Sequence, residues 1–184
     1  NAGQTCIAPD YVLLPAGREQ EFIDAARRVF AACYPDFSAT PDYTAVINER
    51  HFSRLAGYAD DARRHGAEIV ELVPGGVADP VTRRFPLLLL RGVSADMRVM
   101  QDEIFGPLLP LVPYGDLAQA IDFVNARPRP LALYYFDTDA SSITKVLNQT
   151  VSGGVTINDT LLHIAQDDLP FGGVGASGMG CYHG

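Results

Sequence analysis

The chain has 184 residues, 47% hydrophobic and 20% charged, the composition of an ordinary globular protein long enough to bury a sizeable core. Its 14 Lys and Arg against 22 Asp and Glu leave a net charge of -8, which argues against an extended nucleic-acid partner, since phosphate binding needs a basic face. The longest uncharged apolar runs, Phe85 to Leu90 and Pro107 to Tyr114, fall far short of the roughly 20 residues of a membrane-spanning helix.

In chain order, Tyr11 to Leu14 reads as a buried strand. Arg18 to Tyr34 follows as an amphipathic helix, with Phe22, Ala25, Ala26, Val29, Phe30 and Cys33 at helical spacing. A second helix is expected from Glu49 to His65, stopped by Gly66. Ala67 to Val73 and Phe85 to Leu90 read as strands on either side of the turn signal Pro74-Gly75-Gly76, and Leu108 to Tyr114 as another. Asp116 is placed to cap a helix running through Ala126, whose apolar stripe is Leu117, Ala120, Ile121 and Val124. Leu131 to Phe136 is strand, Asp139 to Gln149 helix and Gly154 to Ile157 strand. Apolar strands alternating with helices predict an α/β fold, a largely parallel sheet with helices on both faces, organised as one continuous domain.

Asn1 to Asp10 has neither the charged nor the apolar region of a secretory leader, so a cytoplasmic protein is expected. Cys6, Cys33 and Cys181 are odd in number and form no Cys-x-x-Cys pair, which disfavours a disulfide framework and a cysteine-rich zinc site. His51, His65, His163 and His183 lack metal-ligand spacing and read as surface or partly packed residues, so no metal is expected.

Three segments could carry chemistry. Gly3-Gln4-Thr5-Cys6 precedes the first strand, and its cysteine is either a small buried hydrophobe or, as thiolate, a nucleophile. In Gln101-Asp102-Glu103-Ile104-Phe105-Gly106-Pro107, the Glu103 carboxylate could accept hydrogen bonds from sugar hydroxyls while the Phe105 ring packs on a flat heterocycle. The alternative there is a solvated glutamate beside a core phenylalanine ending a short helix. Gly173 to Gly178 spells G-x-G-x-x-G, but a dinucleotide fingerprint lies between strand and helix in a βαβ unit of about thirty residues. The segment is instead expected to be a tight, flexible loop where backbone approaches another element closely.

Together and in order, these segments resemble the aldehyde dehydrogenase superfamily. Gly3 to Cys6 is similar to its nucleophile motif and Glu103 to Pro107 to its cofactor-contact motif. Leu169 to Gly184 and Pro130 to Tyr134 are similar to the class 3 branch. The resemblance covers residues 1 to 184 and implies the family's catalytic domain. It also implies a Rossmann-type cofactor domain preceding the cysteine motif as a partner, and a homo-oligomer, expected as a dimer, in the parent protein. Neither the family's oxyanion-hole asparagine nor its general base, a glutamate in a Glu-Leu-Gly-Gly motif, has a counterpart among these residues. The chain is therefore expected to be a fragment and inactive alone.

The implied chemistry is oxidation of an aldehyde substrate to a carboxylic acid with NAD or NADP. Cys6 attacks the aldehyde carbon, its backbone N–H holds the oxyanion, hydride passes to the nicotinamide, and water hydrolyses the thioester. Glu103 would hold the nicotinamide ribose and Phe105 would limit the ring's positions. Leu161, Ile164, Phe171 and His183 would line the substrate path, an apolar wall suited to aromatic or long-chain aldehydes. Two other readings compete. A papain-like cysteine hydrolase could use Cys6, His163 and Asn158, but the chain lacks that family's cysteine motif, any Trp and the matching architecture. A non-catalytic folded module is the other.

Overall fold

The computed structural model describes residues 1–183, and its contacts fall into two compact units, Asn1–Tyr114 and a second beginning at Gly115. In the first unit, β1 (Val12–Pro15), α1 (Glu19–Cys33), α2 (Glu49–Arg64), β2 (Glu68–Glu71), β3 (Leu88–Arg91) and β4 (Leu108–Tyr114) follow the expected order. The strands form one sheet in the order β1-β4-β3-β2. β1 and β3 each pair parallel to β4, while β2 pairs antiparallel to β3. No helix crosses over between β2 and β3, so the chain turns back on itself there as an antiparallel neighbour can.

Leu88, Leu89 and Leu90 are all buried because the sheet is covered on both faces. Leu88 and Leu90 join the α2 residues Phe52, Leu55, Tyr58, Ala59 and Ala62 in one core. Leu89 and Leu111 join the α1 residues Ile23 and Phe30 in the other. α2 starts where the Asn48 side chain accepts a hydrogen bond from the His51 N–H, and it ends in Arg63 and Arg64, matching the helix dipole. Not all of the predicted stripe of α1 is covered. Val29 is 63% exposed, and Cys33, expected on the apolar face, is exposed.

In the second unit, α3 (Leu117–Asn125) is capped by Asp116 and α4 (Ala140–Gln149) by Asp139, as the sequence predicts for Asp116. β5 (Ala132–Tyr135) and β6 (Gly154–Ile157) pair parallel in a separate two-stranded sheet. Three of the four strand pairings are thus parallel, and the α/β class holds. Among the described residues of this unit only Ala120, Ile121, Val146 and His163 are buried. No described helix is long and apolar enough to cross a membrane.

Candidate active site

Cys6 and Glu103 lie far apart in sequence, and the sheet brings their segments together. The Cys6 segment leads into β1; the Glu103 segment closes the crossover from β3 and leads into β4. Because β1 and β4 are adjacent and parallel, both segments arrive at the same end of the sheet, the end where these strands begin. Two contacts join them. Gly3, at φ +73°, packs so closely on Gly106 that an added Cβ would lie 2.3 Å from the Gly106 carbonyl oxygen. The Ile104 N–H donates to Asp10 Oδ1 at 2.9 Å.

The Cys6 segment is itself pinned. The Gln4 side chain donates to the Ala45 carbonyl and accepts from the Ile47 N–H, both at 3.0 Å, so its amide acts as a short strand partner. Ile7 is buried, whereas Cys6 is exposed on a turn. Among the described residues the Cys6 backbone N–H donates to no acceptor, leaving it available to a developing oxyanion. The neighbouring Thr5 hydroxyl is buried without a hydrogen-bond partner among them.

Residues 102–107 are not helical, and the preceding 3-10 turn ends at Met100. Phe105 is not a core ring: it is 36% exposed and takes φ +46°, a left-handed conformation uncommon for a bulky residue. Glu103 is exposed, and its carboxylate makes no hydrogen bond or ion pair among the described residues. An open acceptor two residues from an open ring is an arrangement suited to a sugar diol and a flat heterocycle. Burial raises the Asp10 carboxyl above its ordinary value; the Ile104 N–H opposes that shift, Glu103 adds to it and Arg54 opposes it.

In the second unit, Leu161 takes φ +66° and opens a 3-10 turn (Leu162–Ala165) in which Ile164 is 40% exposed. Phe171 stacks on His183 with ring centroids 5.9 Å apart and planes 16° apart. The His163 ring centroid also lies 5.9 Å from that of Phe171, with the planes tilted by 33°. The expectation of a surface or partly packed histidine fails at His163, which is 6% exposed. Its Nδ1 meets the Thr156 hydroxyl at 3.0 Å, and Gly154 leaves room for the ring, since a Cβ there would lie 2.7 Å from His163 Cδ2. Burial lowers the His163 pKa.

The hydrolase pairing of His163 with Asn158 does not form. The Asn158 amide is engaged with the Asp137 backbone, accepting from its N–H and donating to its carbonyl. The glycine-rich segment is a close backbone turn: a Cβ on Gly173 would lie 2.1 Å from the Ser177 carbonyl oxygen. Sequence reasoning missed Asp10, Gln4, Arg54 and Thr156. Only Arg54 left a trace, standing with Tyr58 and Asp61 at i, i+4 and i+7 of α2, one helical face.

The sequence pattern of the aldehyde dehydrogenase family matches residues 1–184. A protein of Pseudomonas aeruginosa named "Probable coniferyl aldehyde dehydrogenase" is 59% identical over 184 residues, which are 100% of this chain and 38% of that protein. The solved structure of Staphylococcus aureus AldH in a substrate-bound state is 42% identical with a TM-score of 0.92, covering 100% of this chain and 39% of that one. The NADP-dependent glyceraldehyde-3-phosphate dehydrogenase of Bacillus halodurans, solved with NADP, is 25% identical with a TM-score of 0.84, covering 99% and 37%. The chain thus spans under two fifths of the length of these relatives.

Proposed function

The chain belongs to the aldehyde dehydrogenase family, and on that premise we propose that it is the catalytic-domain portion, residues 1 to 184, of an NAD(P)-dependent enzyme. That enzyme oxidises aromatic aldehydes, coniferyl aldehyde among them, or long-chain aldehydes to carboxylic acids. The observation that carries the reading is the Gly3–Gly106 contact, which sets the nucleophile segment against the segment suited to a nicotinamide riboside.

The Cys6 thiolate adds to the aldehyde carbon, and the free Cys6 N–H receives the oxyanion of the thiohemiacetal. Oxidation of that adduct leaves a thioester on Cys6. The nicotinamide cofactor, when bound, supplies the acceptor for the hydride that this oxidation removes. The Glu103 carboxylate accepts hydrogen bonds from the ribose hydroxyls, and the Phe105 ring limits where the heterocycle can lie. Leu161, Ile164, Phe171 and His183 contribute the apolar wall of the aldehyde path.

Hydrolysis of the thioester needs a base to activate water, and no Glu-Leu-Gly-Gly sequence occurs among the 184 residues. The isolated chain is therefore proposed to be inactive, with the base and the pyrophosphate-binding domain supplied by the portion of its relatives' length that it does not span. The test is single-turnover absorbance of the full-length protein with excess cofactor and an aromatic aldehyde. Wild type forms stoichiometric NADH or NADPH, and Cys6→Ala forms none. Equal formation by the Cys6→Ala protein overturns the reading, and steady turnover by the isolated chain overturns its proposed inactivity.

A further inference from the structure

We propose that Arg54 is a positioning residue for the nicotinamide end of the cofactor, acting through the backbone of Glu103 and Ile104. The inference rests on the function proposed above. Three polar side chains on one stripe of α2 each hold a different point of the β3–β4 crossover. Asp61 accepts from the Arg98 N–H at 2.9 Å, the Tyr58 hydroxyl donates to Asp102 Oδ2 at 2.8 Å, and Arg54 lies nearest the site. The Arg54 guanidinium donates to the Glu103 carbonyl at 3.2 Å and to the Ile104 carbonyl at 2.7 Å.

These are the two carbonyls immediately before Phe105. A left-handed turn at a phenylalanine persists only where its surroundings hold it. Here the hold is two-sided, because the Ile104 N–H is taken by Asp10 while the Ile104 carbonyl is taken by Arg54. Asp10 belongs to the Cys6 segment, so the same peptide that sets the direction of Phe105 is tied to the chain carrying the nucleophile. The guanidinium is fixed in turn: it lies 5.1 Å from the centroid of the Tyr58 ring, with that of Arg98 at 4.9 Å, and its Nε meets His51 Nδ1 at 3.4 Å. A planar fork reaching two successive carbonyls suits arginine, whereas the point charge of a lysine can satisfy only part of it.

The experiment is a fluorescence titration of the full-length protein with NADH and NADPH, and a parallel calorimetric titration with ADP, which lacks the nicotinamide riboside. Arg54→Met is expected to weaken binding of the reduced dinucleotide about tenfold, the loss of one strong hydrogen bond's worth of affinity, and to leave ADP binding unchanged. Arg54→Lys should recover part of the loss. Arg63→Met, on an exposed arginine whose side chain pairs, among the described residues, only with Asp60, should change neither titration. If Arg54→Met binds both ligands as wild type does, or loses both equally, Arg54 has no role specific to the nicotinamide end and the proposal is overturned. Should Arg54→Met fail to fold, the Arg54→Lys titrations decide by the same contrast. A wild-type protein that binds neither reduced dinucleotide overturns the functional reading and this inference together.

Discussion

Gly3 and Gly106 meet backbone to backbone, so closely that no side chain fits on Gly3. The contact needs both a positive φ and the absence of a Cβ, and it joins the two motifs of the proposed chemistry. Gly17 shares the positive φ, at +85°, but has open space around it. Gly3→Ala should therefore cost about 3 kcal/mol, the sum of backbone strain and overpacking. Gly17→Ala should cost about 1 kcal/mol, from strain alone. Denaturant unfolding of the two variants checks the difference.

Asp10 gives a prediction in pH. Its folded-state pKa lies above the ordinary carboxylate value of 3.8 because the group is buried. Ionisation is thus harder in the folded state. The group's contribution is most favourable below its unfolded pKa and declines as pH rises through the folded one. Asp10→Asn keeps an acceptor for the Ile104 N–H without the charge. It should be at least as stable as wild type at pH 7, with its advantage vanishing on acidification. Asp10→Ala strands that N–H and should cost about 1–3 kcal/mol. Chemical denaturation between pH 3 and pH 7, in steps of about one unit on the scale of ordinary carboxylate titration, reads both effects.

At His163 the sign is reversed. Burial depresses its pKa below the ordinary 6.5, so the stability that goes with the neutral ring is complete above the unfolded value. It is lost as pH falls through the folded one. Thermal melts should show an acid-side decline that is reduced in His163→Phe. Gly154→Ala, pressing a methyl into the imidazole, should cost about 1–3 kcal/mol at any pH.

The three thiols are all exposed. Helical spacing suggests that Cys33 is shielded on the apolar stripe of α1, but it is the last residue of that helix and is exposed. Limited alkylation of the native isolated chain, followed by mass-spectrometric mapping, should label Cys6, Cys33 and Cys181. Protection of Cys33 would contradict the observed packing.

The elements were legible because their signals are local. Asp116 reads as a cap from its neighbours alone, and Leu108–Tyr114 and Gly154–Ile157 are strands over the predicted residues. Glu103 and Phe105 were legible as a motif, but their geometry was not, because the Ile104 carbonyl beside the left-handed turn at Phe105 accepts from an arginine 50 residues from Ile104 in sequence. Nothing in the order of residues pairs Arg54 with Ile104, or Asp10 with a backbone N–H 94 positions on. His163 was misread for a similar reason: whether a lone histidine is buried depends on Gly154 and Thr156 from a neighbouring strand.

The most direct test of the central claim is to quench the full-length protein during turnover of an aromatic aldehyde and map the acyl group by mass spectrometry. A thioester is expected on the peptide containing Cys6 and on no other cysteine peptide, absent when NAD(P) is omitted. An acyl group on Cys33 or Cys181, or undiminished turnover by Cys6→Ala, would contradict it.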